Sequence, residues 1–465
     1  MSRIKDLTKN TLIITIGRIS TQFITFLLLP LYTSLLSTEE YGTVDLITTL
    51  VQLIIPITSL MIDQGVFRYL LNCKDEKSIK KIVSNGLLFL IGFNMLFLIL
   101  YLVIIPFLSS LYKIWIVLIL IATCFSNMFL QIARGLKKTV DYAVGSFICS
   151  FVTIVLNVLC IAFIKMGAEG MLVATFGGNV ICCIFLFLKL NIYKYISIKV
   201  YDKKIILAEL KYSVPLVPNQ LSLWVMNSSD RLIVSIILGT AANGILAVTH
   251  KFPAIFMTFF NIFQLAWHET GAIHYFDEDR DVFFSQTIEK IITIFSTFCI
   301  GIIVCLPIVF SWFVNSAYNE AYLNIPIYLV ASLFNVIVGL LGVVYVATKK
   351  TIEIAKTTFI AAAINIVVNL LFVKYLGLYA ASISTFVGYL LTMIDTKKYL
   401  NIKFNIKQCI FIIIILTGSI IIYYLKNRIL SMILLPFFII GAFILNKDIV
   451  IALVKYMKGR KRRNV

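Results

Sequence analysis

KKTVDYAVGSFICSFVTIVLNVLCI, residues 137–161, is repeated in altered form as KKTIEIAKTTFIAAAINIVVNLLFV, residues 349–373. The two stretches align without a gap at an offset of 212, and 10 of 25 positions are identical. Both open on Lys-Lys-Thr, and Asn157 falls on Asn369. Just beyond, GAEGMLVATFGG from Gly167 matches GLYAASISTFVG from Gly377 at an offset of 210. A weaker echo upstream pairs LSTEEYG (36–42) with LGTAANG (238–244). Two Ile- and Val-rich helices can look alike through composition alone. A shared basic loop, a shared Asn inside an apolar run and a shared Thr-Phe-x-Gly at nearly constant offset point instead to an internal duplication.

The solvent around these helices follows from composition. The chain has 465 residues, 60% hydrophobic and 14% charged, with a mean hydropathy of +0.98. A soluble chain carries about 25% charged residues. Apolar stretches of about 20 residues recur throughout, each long enough to cross ~30 Å of hydrocarbon as a helix. The chain therefore reads as an all-α polytopic membrane protein with about fourteen transmembrane helices. The expected spans are 11–34, 42–66, 82–106, 112–133, 142–164, 170–190, 212–238, 244–267, 290–314, 322–347, 354–373, 378–396, 408–425 and 429–446. The longest polar stretches, near 189–211 and 268–290, leave no room for a soluble domain. The first apolar run has no cleavage site after a short core and reads as a retained span. The nine cysteines lack metal or redox spacing and read as small packing residues.

Lys and Arg orient the spans. One set of breaks holds Arg3, Lys5 and Lys9, then Lys74 to Lys81, Arg134 to Lys138, six between Lys189 and Lys211, Lys349 to Lys356, Lys397 to Lys407 and the tail KGRKRRNV. The alternate breaks hold only Lys113, Lys165, Lys374, Lys426 and Arg428. Both termini are expected in the cytoplasm, as an even number of spans requires. The net charge of +19 is then largely topological. It suits anionic lipid headgroups, with the basic tail Lys458–Arg463 among them, and does not point to nucleic acid. Six spans separate the two repeat copies, so the repeat is parallel, about an axis along the membrane normal. The expected organisation is a first lobe (1–200, helices 1–6), a second lobe (201–400, helices 7–12), and a C-terminal pair of helices with the basic tail (401–465). A six-plus-six parallel repeat favours a transporter worked by rocking of the lobes about a site near the midplane.

Four segments carry a family resemblance. They are ITIGRISTQFITFLLLPLYTSLLSTEEYG, SLMIDQGVFRYL, NSSDRLIVSIILGTAANG and FNIFQLAWHE. In this order and spacing they resemble the bacterial polysaccharide-biosynthesis flippases, the O-antigen and capsule repeat-unit exporters of the multidrug/oligosaccharidyl-lipid/polysaccharide superfamily. The resemblance implies a two-lobed, V-shaped fold like that of the multidrug exporters of that superfamily. It also implies a multi-pass protein of the bacterial cell membrane that moves sugars on a polyprenyl pyrophosphate from the cytoplasmic to the outer leaflet. Its expected partners are that lipid-linked substrate, membrane lipids and the polysaccharide polymerase and assembly machinery. A lipid II or teichoic-acid precursor flippase shares these features, and a cation-coupled multidrug antiporter shares the fold.

Charges inside spans are costly and need a reason. In helix 1, Thr11, Thr15, Arg18, Gln22 and Thr25 recur at spacings of 3 and 4 and form one polar stripe. Arg18 either contacts a ligand or pairs with Asp63, which lies at similar depth in helix 2. Around the turn near Ala241, Asp230 lies 11 residues before and Lys251 10 after, so an Asp230–Lys251 tie is expected. That leaves Arg231 without its nearest acid and free for an anionic ligand such as a pyrophosphate, which Arg recognises bidentately. Arg68 lies nearer the cytoplasmic end. The candidate substrate-binding residues are thus Arg18, Arg231, Arg68, Lys251 and Gln22, with Asp63 and Asp230 as structural or coupling acids. His250 is a possible proton acceptor but reads first as a packed residue. HETGAIHYFDEDRDVFF (268–284) has neither zinc-protease nor calcium-loop spacing and reads as a solvated segment. There is no nucleophile–base pair, phosphate loop or nucleotide motif, so neither an enzyme nor a cofactor or metal is expected.

Overall fold

The computed structural model describes residues 26–447, apart from 74, 108–111, 276, 348–350, 398–405 and 427. The described chain is helical, with no strand among the described residues. Among the described residues, eleven helices are long and apolar enough to cross a membrane, and two shorter apolar ones, Leu378–Ile394 and Ile429–Leu445, resemble them in composition. The chain is a multi-pass membrane protein. Of the first expected span, the structure describes α1 (Leu29–Leu35) and the residues just before it; Arg18 and Gln22 lie outside the described residues.

Helix 2, expected to be continuous, is two helices: α2 (Thr38–Ser59) and α3 (Ile62–Leu70). α2 starts on a capping box, in which Ser37 and Glu40 satisfy each other's backbone N–H. It ends because Leu60 and Met61 are both left-handed, with φ of 45° and 52°. That conformation costs an L-residue roughly 1–2 kcal/mol each. Pro56, four residues after Gln52, supplies no N–H to the Gln52 carbonyl and loosens the helix before the break.

α4 (Glu76–Ile104), α5 (Lys113–Gly135), α6 (Thr139–Asn157) and α7 (Gly167–Lys189) complete the first repeat. Its core is aliphatic, with Val66, Val83, Leu120, Met128, Ile132, Leu172 and Leu186 almost without solvent contact. The polar stretch after α7 is ordered rather than open. Asn85 of α4 donates to the Val200 carbonyl (3.1 Å) and accepts from the Asp202 N–H (2.8 Å). The amphipathic α8 (Lys203–Ser213) then seats the fully buried Glu209 against Gly65, and neither carboxyl oxygen finds a partner among the described residues.

α9 (Leu216–Leu238) and α10 (Thr240–His274) open the second repeat. It continues with α11 (Arg280–Phe313), α12 (Ala321–Ala347), α13 (Thr351–Leu376) and α14 (Leu378–Lys397), followed by α15 (Ile406–Tyr424) and α16 (Arg428–Leu445). By packing, the chain divides into two compact units, Met1–Ala247 with Val373–Gly377, and Val248–Phe372 with Leu378–Val465. α9 and the first turns of α10 thus carry second-repeat sequence but pack within the first unit.

The two repeat copies share local geometry. Gly167 and Gly377 turn the chain with φ of 57° and 55°, a conformation glycine adopts at no steric cost. Thr175 and Thr385 each donate to the carbonyl four residues back, at 2.9 Å in both copies. Phe176 packs edge-on against Trp115, and Phe386 edge-on against Phe334. The copies differ in length: 10 residues separate Asn157 from Gly167, and 8 separate Asn369 from Gly377. The first copy takes up the difference in a π-helical segment, Val158–Phe163, and a left-handed Lys165. An inserted residue is the usual origin of such a wide turn.

In the second unit, Phe260, Phe263 and Trp267 of FNIFQLAWHE meet Phe256 and Phe295 in an aromatic core, and Trp267 donates to the Leu340 carbonyl (3.0 Å). α15 is fastened to α12 by Tyr322 and Tyr423. Their rings stack at 4.1 Å, and each hydroxyl donates to the other's backbone carbonyl, at 3.1 and 2.5 Å. Tyr423→Phe should therefore cost about 1 kcal/mol, one hydrogen bond, whereas Tyr423→Ala should cost about 3–5 kcal/mol through the cavity it leaves. Thermal unfolding of the purified protein checks the order of the two.

Candidate functional site

Two features of the first unit bear on function, a helix crossing and a cavity. The crossing brings the start of α2 onto the start of α10. A Cβ on Gly42 would run into the Thr240 carbonyl and lie 2.6 Å from the Gly244 nitrogen. One on Gly244 would run into the Thr38 carbonyl and lie 3.0 Å from the Gly42 nitrogen. Thr38–Gly42 and Thr240–Gly244 are the echoing segments of the two repeats, and they touch reciprocally, as two copies do across a local two-fold. Around the crossing, Arg231 Nη1 donates to Asp45 Oδ1 at 3.0 Å. Asn243 Nδ2 donates to the Gly42 carbonyl at 2.9 Å and to Asp45 Oδ2 at 3.3 Å.

This corrects the expectation for Arg231, which has an acidic partner after all. Counting residues from the α9–α10 turn finds acids only on those two helices. Asp45 lies 186 positions away and is delivered by the glycine crossing. Asp230 is buried, and its carboxylate accepts the Arg231 backbone N–H at 2.9 Å. Lys251 lies on α10 in the second unit, next to His250, whose ring is 4.3 Å from that of Tyr328. Arg68 is exposed in the last turn of α3, where a cation suits the helix dipole, and has no ion pair among the described residues.

The cavity lies between α2, α3, α5 and α9, at the break in helix 2, and encloses about 570 Å³. Its wall holds Gln52 and Ser59 of α2, Met61 of the break, Asp63 and Gln64 of α3, Asn127 and Gln131 of α5, and Gln220, Trp224, Asn227 and Ser228 of α9. Each helix presents its polar groups at helical spacing: 127 and 131, 220, 224 and 227, 52 and 59. The Trp224 indole donates to the Thr49 carbonyl at 3.1 Å, which locks the ring as a wall. Asp63 accepts from Gln64 Nε2 at 2.7 Å, its side-chain partner among the described residues. Gln131 accepts from Arg134 Nη1 at 3.0 Å, and that guanidinium stands 4.5 Å from the centre of the Phe67 ring. Polar backbone and side chains at membrane depth are tolerated where they line water or ligand, and helix breaks mark such places in transporters. The left-handed Leu60–Met61 pair stands at the wall of this cavity, and such strain clusters at functional sites.

Of the expected site residues that the structure describes, the cavity takes in Asp63; Arg231 belongs to the crossing, and Arg68 is exposed and part of neither. The amides carry no charge, so the cost of burying charge in a span does not single them out. The signal was present as Asn and Gln four or seven residues apart on apolar helices.

Residues 7–268 match the profile of the polysaccharide biosynthesis protein family. The chain belongs to this family. No curated protein sequence matches it. Among solved structures, it is similar to the inward-facing conformation of a multidrug resistance MATE family transporter of the MOP superfamily, with a TM-score of 0.68 and 15% identity over 86% of this chain and 98% of that one. It is also similar to the lipid II flippase MurJ in an inward closed conformation, with a TM-score of 0.64 and 16% identity over 95% of this chain and 100% of that one. This member of the polysaccharide biosynthesis family therefore has the fold of the MOP exporters.

Proposed function

We propose that the protein is a flippase that carries oligosaccharide repeat units, linked to a polyprenyl pyrophosphate, from the cytoplasmic to the outer leaflet of a bacterial cell membrane by alternating access. The observation that carries this reading is the polar cavity at the break in helix 2, inside a polysaccharide-biosynthesis chain that is otherwise strongly apolar. The sugar headgroup occupies the cavity and the polyprenyl chain stays in lipid. Arg18, Arg68 and Lys251, with Gln22, serve the pyrophosphate. Both termini and the acidic segment Asp277–Asp281 face the cytoplasm, and residues 1–200 and 201–400 act as the two rocking lobes.

Deleting the gene should make polyprenyl-linked repeat units accumulate on the cytoplasmic leaflet while the surface polysaccharide falls, as read by mass spectrometry of extracted lipids. Accumulation of a peptidoglycan or teichoic-acid precursor instead would reassign the cargo, and no lipid-linked sugar at all would overturn the flippase. Asp63, partnered among the described residues by an amide and not a cation, favours a second reading, a cation-coupled exporter of small molecules. That reading expects the deletion to sensitise cells to cationic compounds.

A further inference from the structure

We infer that the cavity is a saccharide site that selects uncharged sugars over acidic ones; this rests on the flippase reading and names the class of headgroup it accepts. Six carboxamides line it: Gln52, Gln64, Asn127, Gln131, Gln220 and Asn227. A carboxamide offers two donors and an acceptor on one planar group, and so meets a hydroxyl that must both give and take a hydrogen bond. Gln52, Asn127 and Gln220 make no side-chain hydrogen bond within the described chain, so their capacity is open to a ligand. Gln52 and Gln220 are exposed and Asn127 is half-buried, so their amides are accessible at the cavity wall and not packed into the core. The volume of about 570 Å³ lies within the ~300–1,000 Å³ of small-molecule sites and suits a short oligosaccharide.

The charges decide the selectivity. Among the described lining residues the charged one is Asp63. A carboxylate accepts from sugar hydroxyls and repels a uronate. Two of the cations near the cavity, among the described residues, are already engaged, and Arg68 is not part of its described wall. Arg231 is held by Asp45, and Arg134 by Gln131 and the rings of Phe67 and Tyr142. A sugar carboxylate entering the cavity would lose its water beside an acid and gain amides but no cation from the described lining residues, which is the costly way to bury a charge. A neutral pyranose meets the same wall with hydroxyls that the open amides can partner.

The test uses the full chain in proteoliposomes and two synthetic polyprenyl-pyrophosphate glycolipids. They differ in one sugar, a neutral hexose or the corresponding hexuronic acid, and each carries a photoreactive diazirine. The neutral probe is expected to label residues of α5 and α9 at the cavity and to cross at least about tenfold faster than the acidic one, the ratio that ~1.4 kcal/mol of discrimination gives. Gln52→Leu, Asn127→Leu and Gln220→Leu should each slow the neutral probe by about 3–10-fold, one hydrogen bond apiece. Asn127→Lys should narrow or invert the preference. Equal or faster transport of the acidic probe, or labelling outside the cavity, would overturn the inference. Should neither probe cross while the neutral one still labels the cavity, the flippase reading falls and the saccharide site stands.

Discussion

Gly42→Ala is expected to destabilise the protein by about 1–3 kcal/mol or more, an unusually large effect for one methyl group. The added Cβ meets backbone, the Thr240 carbonyl and the Gly244 nitrogen, and not the end of a side chain that could swing aside. α2 and α10 would have to part, and Asn243 would lose its hold on the Gly42 carbonyl. Gly244→Ala should behave alike, because the contact is reciprocal. Gly92→Ala on α4 serves as the control, since nothing lies within 4 Å of its Cβ and alanine favours the helix. Thermal unfolding in detergent separates the cases. If Gly42→Ala melts with Gly92→Ala, the crossing is not as close as described.

Arg231→Ala should lose about 3–5 kcal/mol, because it leaves the Asp45 carboxylate largely buried without its cation. The two side chains are only 22% and 14% exposed, so solvent screens the pair weakly. Asp45→Ala should cost a similar amount, and the double variant Asp45→Asn with Arg231→Gln should recover much of the loss. A double-mutant cycle on unfolding reads the coupling directly. A residue that served substrate alone would behave otherwise: Arg231→Ala would stop export with the folded protein intact, and Asp45→Ala would leave export untouched. The structure favours the first pattern, in which Arg231 fastens α9 to α2 around the glycine crossing.

The fold was legible from residues whose meaning is local. The turn glycines 167 and 377 and the threonines 175 and 385 each act within a few positions of themselves, and there the copies kept their geometry. Even the change of offset from 212 to 210 was visible, although its form, a π-helical segment in one copy, was not. The break in helix 2 is not legible because Pro56 alone predicts a kink, not the two left-handed residues, Leu60 and Met61, after it. The amides were missed because an Asn or Gln on an apolar helix has no preferred neighbour in sequence.

By itself, the sequence determined the solvent, the helices and the duplication, since hydropathy, helix length and periodicity are properties of contiguous residues. Only the tertiary structure decided which polar groups meet. Asp45 reaches Arg231, and Gln52, Asn127 and Gln220 reach one cavity, through helix crossings set by backbone contact at two glycines and by a strained break. Hydrogen bonds and ion pairs act over about 3 Å, whereas the partners here stand up to 201 positions apart along the chain, so their pairing is a property of packing and not of order.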